Sequence, residues 1–261
     1  SLSSLLSLAE AARKYGYERP TMTEDNVLKI VKGRHPLHEF CVDVFVGNDA
    51  DFGIQEDGGT RAMLLTGANF SGKSVYLKQV ALITYMAHIG SFVPAESATI
   101  GLTDRILTRV RTRCVETVSK IQSTFCIDLH QVSVALRSST ERSLVVLDEF
   151  GKGTATTDGI GLFCALIESL VDRGPACPKI LAATHFHGIG TEDAALLPEI
   201  QFQGWCLSVN IFFIRSREVN GVVILTVSPP PFTSVVPGRA KSSWGVHCAE
   251  IAGLPSAVLK R

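Results

Sequence analysis

Apolar residues recur along this chain in two rhythms. From Leu2 to Tyr15 they fall at 2, 5, 6, 8, 9, 12 and 15, the spacing of one helical face. Glu18-Arg19-Pro20 ends that helix, because the residue before proline disfavours the helical conformation. Val27 to Val31 is a short apolar run expected as an edge strand, followed by the turn Gly33-Arg34-His35-Pro36, whose histidine reads as a surface turn residue or as part of a polar cluster. Phe40 to Val46 alternates and is expected as a strand, and the Gly-, Asp- and Asn-rich stretch 47–61 as a solvated loop. Beyond it, short apolar runs alternate with longer helical ones. Ala62–Thr66, Ser143–Leu147 and Ile180–Thr184 read as buried strands, and Val75–Ile89, Ile127–Leu136 and Ile160–Asp172 as helices. Ser123 and Thr124 are candidate caps for the second of these helices. Residues 99–110 read as a turn and one strand. Cys206–Ile214 and Val222–Val227 read as an antiparallel edge pair. Pro229, Pro230 and Pro231 do not suit a central strand, so 222–234 is either a looped insertion or a segment foreign to the mature protein. A helix over Val246–Ala252 and a short terminal one close the chain. The order of elements predicts an α/β fold with a mostly parallel sheet flanked by helices.

Chemistry sits at the ends of the apolar runs. Gly67-Ala68-Asn69-Phe70-Ser71-Gly72-Lys73-Ser74 matches G-x-x-x-x-G-K-[ST] between a strand and a helix, the context that a phosphate-binding loop requires. Its glycines let successive N–H groups face phosphate oxygens, and the helix that follows adds its positive end. Lys73 can bridge the β and γ phosphates, and Ser74 can hold Mg²⁺. The strand Ser143–Leu147 runs into Asp148-Glu149, two carboxylates at the edge where a parallel sheet opens on its ligand crevice. Asp148 suits Mg²⁺ through water, and Glu149 suits the activation of an attacking water. His185 ends the strand Ile180–Thr184 on the same edge and can donate to the γ phosphate. FGKGTATTDG at 150–159 is either a plain loop or one whose backbone contacts a phosphate. Phe45 reads as core, or as an aromatic that stacks on a purine. Arg109, Arg111, Arg113 and Lys120 read as a solvated basic loop or as a DNA contact.

Composition narrows the partners. Twenty-five basic residues balance twenty-five acidic ones over 261 residues, so no global field draws the chain to DNA. Seven cysteines without a C-x-x-C pair argue against a disulfide framework or zinc site and for a reducing compartment. No charge-free run of about twenty apolar residues is present, so no membrane partner is expected. The chain opens on Ser1 inside a helical pattern and reads as a fragment, or as the product of a gene model that has lost its front.

Together the motifs resemble the ATPase domain of the MutS family, related to ABC-type ATPases. The likeness rests on GANFSGKS at 67–74, SFVPAE at 91–96, STF at 123–125, DEFGKGT at 148–154, ATHF at 183–186 and GRAKSSWGVHCAEIAGLP at 238–255. SVYLKQVALI, IDLHQV and DEFGKGT are most similar to the family's meiotic, fifth branch. Residues 1–32 are then the end of a lever or core region, and 33–261 the ATPase domain. The resemblance implies ATP as substrate and Mg²⁺ as cofactor. Phe45, Gly67, Asn69, Ser71, Gly72, Lys73 and Ser74 would bind nucleotide, Ser74 and Asp148 would hold Mg²⁺, Glu149 would be the base, and His185 would sense the γ phosphate. Thr154 and Thr156 would face a partner subunit's nucleotide, although Ala155 stands where mismatch-repair members have serine. It further implies DNA bound through regions outside this chain, a second MutS homologue as heterodimer partner, and a place on chromosomes in the nucleus. The function expected is a DNA-dependent ATPase motor in meiotic recombination. Mismatch repair and a non-hydrolysing scaffold remain open. A transporter ATPase would carry L-S-G-G-Q, a string absent from the chain.

Overall fold

The computed structural model describes residues 2–53, 61–67, 71–110 and 124–186, and the strand segments 203–209, 216–219, 222–225 and 233–237. In chain order the elements are α1 (Leu2–Tyr15), β1 (Thr21–Thr23), β2 (Leu28–Gly33), β3 (Asn48–Phe52), β4 (Ala62–Gly67), α2 (Lys73–His88), β5 (Ser97–Gly101), β6 (Ile106–Arg109), α3 (Thr124–Ser138), β7 (Leu144–Asp148), α4 (Thr156–Val171), β8 (Lys179–Ala183), β9 (Gln203–Val209), β10 (Ser216–Val219), β11 (Val222–Leu225) and β12 (Thr233–Pro237). Two short 3₁₀ turns lie at His38–Phe40 and Gly174–Ala176.

A six-stranded sheet runs β12-β9-β4-β8-β7-β6, all parallel except β12. The middle strands are apolar because they are covered on both faces. Along β4, β7 and β8 the side chains alternate between two cores. Met63, Leu65, Leu144, Val146 and Leu181 join α2 residues Leu77, Val80 and Ile83 in one. Leu64, Val145, Leu147 and Ile180 join α4 residues Phe163, Ile167 and Leu170, and Val132 of α3, in the other. Beyond α2 lies a four-stranded sheet of order β1-β5-β2-β3, whose Leu28, Ile30, Phe52 and Ile100 close the first core. Backbone close approach is required at Gly33, where an added Cβ would lie 2.8 Å from the Gln79 amide on α2.

Several expectations need correction. Phe40–Val46 holds no strand; its start is a 3₁₀ turn and bends follow. The strand is β3, inside the stretch expected as a loop. Its outward Asp49 and Asp51 hide the alternation of buried Asn48, Ala50 and Phe52. β2 is no edge: β3 and β5 flank it, both antiparallel. Residues 99–110 divide between two sheets, as β5 and β6. β9 and β11 do not pair. β9 lies parallel to β4 and antiparallel to β12, while β11 forms a hairpin ladder with β10. For β9 and β11 periodicity marked a strand at each place but not its partner, which long-range packing selects. The prolines 229–231, the helix over 246–252 and the terminal helix lie outside the described residues.

Candidate nucleotide site

The parallel register brings three strand ends to one edge. Leu65 of β4 sits beside Ala183 of β8, and Asp148 of β7 sits beside Ala183 on its other side. The ladder continues past the strands, with Glu149 N–H donating to the Ala183 carbonyl (2.9 Å) and Thr184 N–H to that of Leu65 (3.1 Å). Gly67, Asp148, Glu149 and His185 therefore share the C-terminal edge, where open α/β sheets bind ligands.

On the β4 side, Gly72 has φ of 91°, a left-handed conformation that suits glycine, and it opens α2. Lys73 is 5% exposed, and its ammonium donates to the Gly67 carbonyl (2.8 Å), folding the side chain back across the loop. Ser71 is buried, and its hydroxyl has no hydrogen-bond partner among the described residues. Ser74 is half-buried in the first turn of α2. Asn69 lies outside the described residues.

On the acidic side, Asp148 is 4% exposed and its Oδ1 also lacks a partner among the described residues. A buried polar atom left so costs about 1–3 kcal/mol. The two orphaned atoms are a hydroxyl that can donate to a phosphate and a carboxylate oxygen that can accept from cation-bound water. This donor set fits a nucleotide phosphate with a hydrated divalent cation. Among the described residues no cluster of three or more His, Cys, Asp or Glu could hold a metal without such a ligand. Glu149 has φ of 57°, unusual for a residue with a side chain and of the kind that clusters at functional sites. Its Oε1 meets His185 Nε2, and its Oε2 accepts from Lys152 Nζ (2.6 Å). Burial alone would raise the Glu149 carboxyl, but the His185 and Lys152 donors outweigh it and hold the group at about 2.

The remaining expected residues are more dispersed. Phe45 is half-buried in the irregular segment before β3 and belongs to neither core. Thr154 is half-buried, and Ala155 and Thr156 are exposed where α4 begins, with no side chain capping that helix. Arg109 is a correction: it is buried at the end of β6, not in a solvated loop, and donates to the Asp148 carbonyl and the Asp128 carboxylate of α3. The expected strand within 99–110 already held Arg109 and left out Arg111 and Arg113, which lie outside the described residues.

Comparison with known proteins settles the family. The profile described as MutS domain V matches residues 63–261. The chain belongs to the MutS family. It carries the family's ATPase domain. It is 37% identical to MutS protein homolog 5 of Saccharomyces cerevisiae over its whole length, which covers 30% of that protein. It is 40% identical to the DNA mismatch repair protein MutS of Dehalococcoides mccartyi, covering 28% of it, and 38% identical to that of Chloroflexus aurantiacus, covering 25%. The chain thus spans about a quarter to a third of the length of these relatives. In this MutS domain the described residues Gly67, Gly72 and Lys73 lie at the same sheet edge as Asp148, Glu149 and His185. Lys152 was missed as a site residue, because a lysine within a glycine-rich turn carries no signal of which way it points.

Proposed function

We propose that this MutS-family domain is an ATP-hydrolysing motor of ABC type whose nucleotide state gates a DNA clamp. The observation that carries the reading is the convergence of Lys73, Asp148, Glu149 and His185 on one sheet edge, with polar atoms of Ser71 and Asp148 left for a ligand. Gly67, Asn69, Ser71, Gly72 and Lys73 bind the phosphates, and Phe45 stacks on the adenine. Ser74 and Asp148 hold Mg²⁺, which when bound neutralises charge on the phosphate oxygens. Glu149 accepts a proton from the attacking water, and His185 contacts the γ phosphate. Thr154 and Thr156, at the start of α4, face the nucleotide of a partner subunit. The domain proper runs over 33–261, with 1–32 leading into it. Strand β2, at Leu28–Gly33, crosses that boundary.

The finer reading is a role in meiotic recombination: crossover formation on branched DNA, in the nucleus on chromosomes, as a heterodimer with a second MutS homologue. Its support is the likeness to the yeast MutS protein homolog 5. The likeness to bacterial DNA mismatch repair proteins favours a second reading, mismatch repair. The test is ATP hydrolysis by the full-length protein with its co-expressed partner, the partner's own site disabled, with and without branched DNA, beside Glu149→Gln. Turnover stimulated by branched DNA and lost in the variant supports the motor. Binding of ATP without turnover in either protein makes the subunit a nucleotide-gated scaffold. Stimulation by mismatched but not branched DNA supports the repair reading.

A further inference from the structure

A carboxylate that must meet a water needs a defined direction as well as a place. Glu149 stands where β7 has ended, and its side chain has three rotatable bonds beyond a backbone of left-handed φ. A base works within about 2.6–3.2 Å of the proton it takes. One donor on one oxygen leaves the carboxylate free to swing about that contact. Two donors from separate directions, one on each oxygen, define its plane. His185 supplies the first from the end of β8. The second comes from Lys152, three residues along the turn, at 2.6 Å.

The turn that returns Lys152 to Glu149 is shaped by close packing. Gly151 has φ of 93°, and a Cβ there would lie 2.6 Å from the Gly159 carbonyl oxygen. A Cβ on Gly159 would lie 2.2 Å from the Gly151 oxygen, so backbone meets backbone where the turn crosses α4. A Cβ on Gly153 would lie 2.8 Å from Phe125 of α3. The turn is therefore wedged between two helices, and it places the Lys152 ammonium over the outer oxygen of Glu149. Lys152 itself is 40% exposed and Glu149 19%. An ion pair so placed contributes little to folding stability, about 1 kcal/mol at most.

We propose that Lys152 is a positioning residue for hydrolysis: with His185 it orients the Glu149 carboxylate toward the attacking water, and it acts through Glu149 rather than on the nucleotide. This rests on the reading of Glu149 as the base. Loss of an outer partner of this kind costs about 10- to 100-fold in activity.

The experiment measures steady-state ATP hydrolysis and nucleotide affinity for the full-length protein with its partner, the partner's site disabled. The variants are Lys152→Met, Lys152→Arg, Glu149→Gln and the Glu149→Gln/Lys152→Met double. Lys152→Met should lower kcat about tenfold with KM for ATP within about twofold of wild type, and Lys152→Arg should recover most of the loss. In the Glu149→Gln background the second change should alter neither residual turnover nor affinity, because residues acting through one another are not additive. The proposal is overturned if Lys152→Met turns over normally, if it costs as much in the Glu149→Gln background as alone, or if it weakens nucleotide binding in step with kcat. Wild-type turnover by Glu149→Gln alone would instead remove Glu149 as the base, and the premise with it.

Discussion

The two sheets put the same kinds of residue to different use. In β7 all five residues are buried, whereas β2 and β3 alternate buried and exposed. The four-stranded sheet closes the core with one face and shows water the other. Its charges meet there, as in Lys29 with Asp51 at 3.8 Å, both half-exposed or more. Such a pair is screened and adds little. The central strands β4, β7 and β8 of the six-stranded sheet are covered on both faces, so charges sit at their ends: Lys179 at one edge, and Asp148, Glu149 and His185, partly or fully buried beside the more exposed Lys152, at the other. Hydrogen bonds in that setting are stronger, and an unpaired atom costs more. One sheet turns its charged residues to water, and the other holds them at its strand ends, where the Asp148 Oδ1 is without a partner among the described residues.

The widest gap between the sheets should appear on neutralising one carboxylate in each. Glu149→Gln is expected to lower ATP turnover about 100- to 10,000-fold while nucleotide affinity stays within about threefold. Asp51→Asn should leave both turnover and melting near wild type, within about 0.5 kcal/mol in stability. Equal effects in steady-state assays would dissolve the contrast. A smaller difference is expected for lysines. Lys73→Ala removes a charged donor and should weaken ATP binding about tenfold or more, since such bonds contribute about 1.5–3 kcal/mol. Lys29→Ala should leave a nucleotide titration unchanged.

Stability should follow the burial patterns. Alanine at Leu144, Val145, Val146 or Leu147 should each destabilise, by about 1–4 kcal/mol in urea unfolding. In β2 the cost should alternate: large at Ile30, under about 0.5 kcal/mol at Lys29. A uniform cost along β2 would mean that its outer face is covered. The smallest effect concerns pH at the end of β2. His35 is buried, and its Nδ1 accepts from the N–H groups of Leu37 and His38. Burial, with His38 and Lys78 nearby, pulls it down to about 4. The unfolded chain therefore binds the extra proton between about 6.5 and 4. The contribution of neutral His35 is complete above about pH 6.5 and is lost on acidification toward 4, a fall of about 2 kcal/mol between pH 7 and pH 5. Urea midpoints at pH 7 and pH 5 measure it, and the part due to His35 should vanish in His35→Asn.

Strands β4, β7 and β8, the acidic residue that ends β7 and the helices around them were legible in the sequence, because two-sided burial writes long apolar runs and polar residues follow directly at their ends. β3 was hidden, since a one-sided strand needs apolar residues only at alternate positions and Asp49 and Asp51 filled the rest. For the same reason β2 read as an edge. The sequence by itself determined which residues carry charge and where the long apolar elements β4, α2, β7, α4 and β8 lie, for those follow from local propensity and periodicity. Only the tertiary structure decided that β9 lies beside β4, that Arg109 is buried under the Asp148 carbonyl, and that Lys152 faces Glu149. Those are long-range pairings and turn directions, chosen by which surfaces exclude water together, and no window of neighbouring residues contains them.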